Sequence, residues 1–185
     1  MNNAASIMNI TGIVLAALIT AGAAQSEPKT PTIPISIAQQ AASLVQQAHK
    51  RAESKITERD IVLCARLVWG EARGVRSRAE QAAVIWCVLN RLDAGYASTI
   101  EGVITARGQF TGYRKSNPVT DELYELSRDV LIRYYLEREG VQNTGRTLPN
   151  DYLWFTGYKG RNRFRNKYRG GKYWDWSLDN PYMER

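Results

Sequence analysis

Cysteine, histidine and phenylalanine are scarce in this chain, at two, one and three residues of 185. Cys64 and Cys87 have no CxxC spacing, and His49 lies far from the region that carries motifs, so the ligand set of a zinc site is missing. Charge is missing altogether from residues 1–26. Within that segment, Ile10 to Ala24 is an apolar, alanine-rich run ending in Ala21-Gly22-Ala23-Ala24-Gln25, the pattern of a secretory h-region with a small-residue cleavage site. The run is short and glycine-interrupted for a permanent span of about 20 residues. No Lys or Arg precedes it, so an uncleaved anchor, with transient membrane association through residues 7–24, stands beside cleavage as an alternative. The expectation is export to the periplasm or cell envelope. A buried N-terminal helix in a cytoplasmic protein is the competing reading.

What the chain has in excess is positive charge. Twenty-five basic against eighteen acidic residues give +7, which favours polyanions: nucleic acid, anionic lipid headgroups or acidic envelope polymers. Residues 27–36, EPKTPTIPIS, hold three of the six prolines and read as a linker. Residues 37–56 read as a helical spacer with Ile37, Ala41, Leu44, Val45 and Ala48 on a thin apolar stripe, able either to cover the domain or to sway free. A single mainly α (α+β) domain is expected over 57–185, with no repeat at solenoid spacing.

Thr57 with Asp60 predicts a helix start, followed by Ile61, Cys64, Ala65 and Val68 at helical spacing; Gly74 offers a stop. Ser77-x-x-Glu80 reads as a capping box for a second helix with Ala82, Ile85, Trp86 and Leu89 inward. Ser98-x-x-Glu101 predicts a short third helix, and Arg107 to Tyr113 has the glycine density of a loop. A fourth helix is expected over 120–139, with Leu123, Leu126, Val130, Leu131 and Tyr134 inside and Gly140 as its stop. From Tyr152 to Trp176 the helical period vanishes. Aromatics alternate there with Gly, Arg, Lys and Asn, as in loops or a short hairpin laid over a groove.

Trp69-Gly70-Glu71-Ala72-Arg73-Gly74 puts a carboxyl group at the end of an apolar helical face. Desolvation and the negative end of a helix dipole both favour the protonated acid, and such an acid can protonate a glycosidic oxygen. An exposed Glu71 paired with Arg73 or Arg76 is the plain alternative.

The ordered blocks Trp69 to Gly74, Gln81-Ala82-Ala83-Val84, Val88-Leu89-Asn90-Arg91 and Gly108-Gln109-Phe110-Thr111 together resemble the SleB-like cell wall hydrolases, also called spore cortex-lytic enzymes. The resemblance runs from about Asp60 to the C-terminus. Tyr152 to Gly157 and Asn162-x-Phe164 are similar to the family's later segment, although a histidine frequent there has no counterpart and Arg161 or Arg163 stands nearby. The resemblance implies a lysozyme-like helical fold and cleavage between N-acetylmuramic acid and N-acetylglucosamine, with Glu71 as catalytic acid. That chemistry needs no cofactor. Asp93, Asp121, Asp129, Asp151 and Asp175 are available as a second carboxylate, yet no block marks any of them. A lytic transglycosylase needs only one carboxyl group, and that mechanism is expected.

Gln109 on its glycine-flanked loop could hydrogen-bond an N-acetyl or hydroxyl group, with Thr111 and Tyr113 in the same cleft and Phe110 turned to the core. Tyr152 and Trp154 could stack on sugar rings or serve as core aromatics. Asn90-Arg91 reads as a structural cap of the second helix. Lys159, Arg161, Arg163, Arg165, Lys167, Arg169 and Lys172, interleaved with aromatics, would suggest nucleic acid if met alone; in an exported chain, anionic envelope polymers or a solvated rim fit better and nucleic acid is not expected. Cys64 and Cys87 lie on neighbouring predicted helices, where either a disulfide or two buried thiols can form. The expected partner is the peptidoglycan glycan strand. The competing class is a non-enzymatic basic module that grips murein or nucleic acid.

Overall fold

A computed structural model of the chain describes residues 35–182. The export, anchor and cleavage expectations fall on residues 1–26 and, like linker residues 27–34, lie outside the described residues. Those described form α1 (Ile35–Ser54), α2 (Glu58–Ala72), α3 (Arg78–Asp93), α4 (Ile100–Thr105), α5 (Asp121–Arg138), β1 (Trp154–Tyr158) and β2 (Arg161–Arg165). The described residues are mainly helical, with one two-stranded antiparallel sheet. Among the described residues no helix is long and apolar enough to cross a membrane.

Hydroxyl side chains start four of these helices by accepting an otherwise orphaned backbone N–H. Thr57 accepts from Asp60 N at 3.1 Å and Ser77 from Glu80 N at 3.3 Å. Thr120 accepts from Leu123 N at 3.4 Å. The short helix α4 corrects the expected cap by one residue: Thr99, not Ser98, accepts from Gly102 N at 3.0 Å. The capping box at α3 is only half made. Glu80 turns inward to the hairpin instead of reaching back to Ser77, because a buried N–H there needs an acceptor.

Helix α3 sits at the centre. The helical spacing of Ala82, Ile85, Trp86 and Leu89 predicted one buried face, yet every residue from Ala82 to Arg91 is buried, as the nearly unbroken apolar run AAVIWCVL requires. Trp86 meets Tyr134 of α5 edge-to-face at 6.4 Å, and the Arg146 guanidinium lies 4.1 Å over the Trp86 ring. Helix α2 packs on α3 and α5 through Ile61, Cys64, Ala65 and Val68, while α5 contributes Leu123, Leu126, Val130, Leu131 and Tyr134. The predicted core positions on these two helices are therefore buried.

Helix α1 begins two residues inside the expected linker and divides into two halves. Ala48 and Ala52 pack on Ile132 and Leu136 of α5, and Glu139 accepts from both Arg51 and Lys55 at 2.6 Å. Ile37 and Leu44, expected on the apolar stripe, are exposed, because only the second half of α1 has α5 to lie on. Cys64 and Cys87 are both buried and free. After α5 the chain returns over α3 to the hairpin, whose two-residue turn has Lys159 at φ 49° and Gly160 at φ 75°. Both central residues in the left-handed region match the right-handed twist of the flanking strands.

Candidate active site

Glu71 occupies the last turn of α2, where the helix meets the loop between α4 and α5. Its Oε1 accepts the Gly112 backbone N–H at 2.7 Å, and its side chain is half-buried. The apolar pocket expected around this carboxyl group is thus replaced on one side by a peptide N–H that fixes its direction. Close backbone approach makes this contact possible. A Cβ on Gly70 would lie 2.1 Å from the Gly112 carbonyl oxygen, and one on Gly112 would lie 2.4 Å from that of Gly70. Only glycine at both positions lets loop and helix touch here. Asn117 clamps the junction by donating from Nδ2 to Arg66 O at 3.0 Å and to Gly112 O at 2.9 Å.

The hairpin closes the other side. Along β2, Asn162 and Phe164 are buried, while Arg161 and Arg163 are exposed. Asn162 Nδ2 donates to the Glu71 carbonyl at 3.2 Å, and the Asn162 backbone N–H donates to the Glu80 carboxylate of α3. Helix α2, helix α3 and the hairpin are therefore joined at one asparagine. Burial pushes the Glu80 carboxyl above its ordinary range, against the opposing pull of the Asn162 N–H and the Arg161 charge. The carboxyl group linked to Glu71 through Asn162 is 6% exposed and already committed to a structural contact.

The other expected residues separate by environment. Thr111 and Tyr113 flank Gly112; Thr111 is exposed, and Tyr113 is half-buried against the core. Gln109 is exposed, but its side-chain oxygen accepts from Arg91 Nη1 at 2.7 Å. Tyr152 is buried, edge-to-face with Trp174 at 5.5 Å, and so belongs to the core and not to a sugar-stacking surface. Trp154 pairs across the sheet with Arg165, on the hairpin face opposite to Asn162 and Phe164. It therefore does not share the face that holds Glu71. Phe110 is buried, 6.1 Å from Phe155.

No family model, curated protein or solved structure matches the chain. The site consequently stands on its own geometry. Asn90 and Arg91 prove to be pins, not a helix cap: Asn90 Nδ2 donates to Pro149 O at 2.7 Å and Tyr152 O at 3.0 Å, and Arg91 Nε donates to Leu153 O at 2.6 Å. These bonds hold the irregular segment that leads into the hairpin. Sequence reasoning missed Gly70, Gly112, Asn117 and the inward role of Glu80. The pairing of a glycine beside Glu71 with glycines in the loop was the available signal for the close approach; Asn117 carried none. Among the described residues no group of three or more His, Cys, Asp or Glu could hold a metal ion.

Proposed function

We propose that this protein cleaves the glycan strands of peptidoglycan between N-acetylmuramic acid and N-acetylglucosamine, as a lytic transglycosylase whose single acid/base is Glu71. The observation that carries the reading is the seat of Glu71: a half-buried carboxyl group at a helix end, aimed by the Gly112 N–H at a junction of helix, loop and hairpin. The motif resemblance and the mainly helical architecture support a lysozyme-like fold. The charge-free segment 1–26 supports an envelope location.

One carboxyl group suffices for the balanced reaction. Protonated Glu71 gives its proton to the glycosidic oxygen as the C1–O bond breaks, leaving an oxocarbenium-like muramoyl residue. The carboxylate then takes the proton of that residue's own C6 hydroxyl, whose oxygen closes on C1 to give a 1,6-anhydro end. Glu80 does not serve as the second carboxylate, the general base that would activate water for hydrolysis, because it is buried and accepts from the Asn162 N–H inside the protein. Thr111 and Tyr113, beside Gly112, are positioned to border the bound glycan.

The test is digestion of sacculi with the full chain and with Glu71→Gln, followed by mass spectrometry of the released muropeptides. Anhydro ends from the wild type, with activity about 10²–10⁴-fold lower in the folded variant, are expected. Reducing ends would replace transglycosylation by hydrolysis. Sacculus binding without release by either protein would favour a non-enzymatic murein-binding module.

A further inference from the structure

The outward face of the hairpin is turned away from Glu71. Cross-strand pairs share a face, so Trp154 with Arg165, Thr156 with Arg163 and Tyr158 with Arg161 lie opposite to Phe155, Phe164 and Asn162. Three arginines therefore form a row on one side of a single strand. Lys167, Arg169 and Lys172, all exposed, continue the positive charge along the segment that follows β2. No acidic residue occurs between Tyr152 and Trp174. Among the described residues none of Lys159, Arg163, Arg165, Lys167, Arg169 and Lys172 makes a salt bridge. Charge left unneutralised in a row is complementary to a polymer bearing regularly spaced anions.

We infer that this face binds a polyol-phosphate polymer of the cell envelope, one flexible chain of phosphodiesters joined by short polyol links. Alternate residues on a strand are about 6.6 Å apart, a span that one phosphate and a three-carbon link cover when extended. The guanidinium fork matches two phosphate oxygens at each position. Nucleic acid would need free aromatic faces for base stacking. Here Arg163 lies 4.0 Å over the Tyr173 ring and 5.6 Å from that of Tyr158, which Lys159 also approaches at 5.3 Å. Trp154 is taken by Tyr168 at 6.4 Å. Tyr158, Tyr168 and Tyr173 keep about half or more of their surface exposed, so the spacing of the arginines carries the choice of polymer and DNA is the competing outcome of the test.

Binding of the full chain to fluorescent poly(glycerol phosphate), and separately to single-stranded DNA and poly-glutamate of equal charge, tests the assignment. The pair Arg163→Gln and Arg169→Gln should weaken poly(glycerol phosphate) binding at least about tenfold and lower the salt slope by about two. Lys50→Gln with Arg107→Gln, which removes the same charge from exposed sites elsewhere, should change it little. Lys167→Gln with Arg169→Gln touches no ring and guards against loss of hairpin structure. Equal weakening by the remote pair would overturn the inference, as would tighter binding of DNA or equal binding of poly-glutamate. Because Glu71→Gln leaves this face intact, its polymer binding should match the wild type, so failure here and failure of the cleavage reading are distinguishable.

Discussion

Replacing Glu80 tests whether the hairpin positions Glu71. Glu80→Leu removes the acceptor of the Asn162 backbone N–H, in a place where both residues are about nineteen-twentieths buried and water cannot substitute. An unsatisfied buried N–H costs about 1–3 kcal/mol, and for a domain of this size each kcal/mol lowers Tm by about 2–4 °C. The loss should reach activity, since Asn162 Nδ2 also holds the Glu71 carbonyl. A displacement of about 1 Å at the acid can lower turnover by up to about 10²-fold. Glu80→Gln keeps an oxygen acceptor of the same shape and should keep most activity. The two variants also separate by pH. Folding raises the Glu80 carboxyl, so its contribution is fully present below the unfolded value near 4.3 and is lost as pH rises through the folded value. The amide has no such titration. Wild-type stability relative to Glu80→Gln should therefore fall as pH rises from about 4 and level off once Glu80 is ionised. Thermal unfolding from pH 3 to 8, beside muropeptide release, reads both effects. Equal losses for Gln and Leu, or a wild-type advantage that grows with pH, would refute the reasoning.

Gly70→Ala and Gly112→Ala place a methyl group against backbone and should each cost at least about 1–3 kcal/mol, with loss of cleavage beyond the loss of folded protein, measured by denaturant unfolding and turnover. Asn90→Leu leaves the Pro149 and Tyr152 carbonyls without their donor and should destabilise by at least about 2 kcal/mol in the same unfolding assay. Cys64 and Cys87 should resist iodoacetamide in the native protein and react together on unfolding, as mass spectrometry would record, because burial raises both thiols, Cys87 to about 12.

The helices were legible in the sequence because their signals are local. Thr57, Ser77 and Thr120 announce helix starts, and the spacing of Leu123, Leu126, Val130 and Tyr134 marks a buried stripe whatever lies opposite. Burial on all sides of α3 was not legible from period alone, since it depends on how many neighbours surround the helix. The site was legible only in part. Glu71 could be singled out by its motif, but the Gly112 N–H that directs it comes from 41 residues away, and the Asn162 amide from 91. Glu80 shows the limit most clearly. A Ser-x-x-Glu pattern is satisfied by local capping, and only the arrival of β2 reveals that the same side chain has a buried donor to serve.

The alternation of β2 explains how one chain can place a strongly cationic surface beside the seat of the Glu71 carboxyl group. Arg-Asn-Arg-Phe-Arg sends successive side chains to opposite faces, so Asn162 and Phe164 face the core while Arg161, Arg163 and Arg165 share the other side. Phe164, 5.3 Å from Phe155, anchors the inward face in the hydrophobic core and thereby fixes the register. A slip by one residue would bury arginines against α2 and α3 and expel the asparagine from Glu71. The register is thus held by the free energy of burying Phe164 and by the cost of burying unpaired charge. With the faces separated in this way, positive charge can accumulate on the outside without altering the contacts that orient Glu71. The proposed recognition of an anionic polymer and the proposed cleavage of a glycan would accordingly be separable by substitutions on the two sides of a strand five residues long.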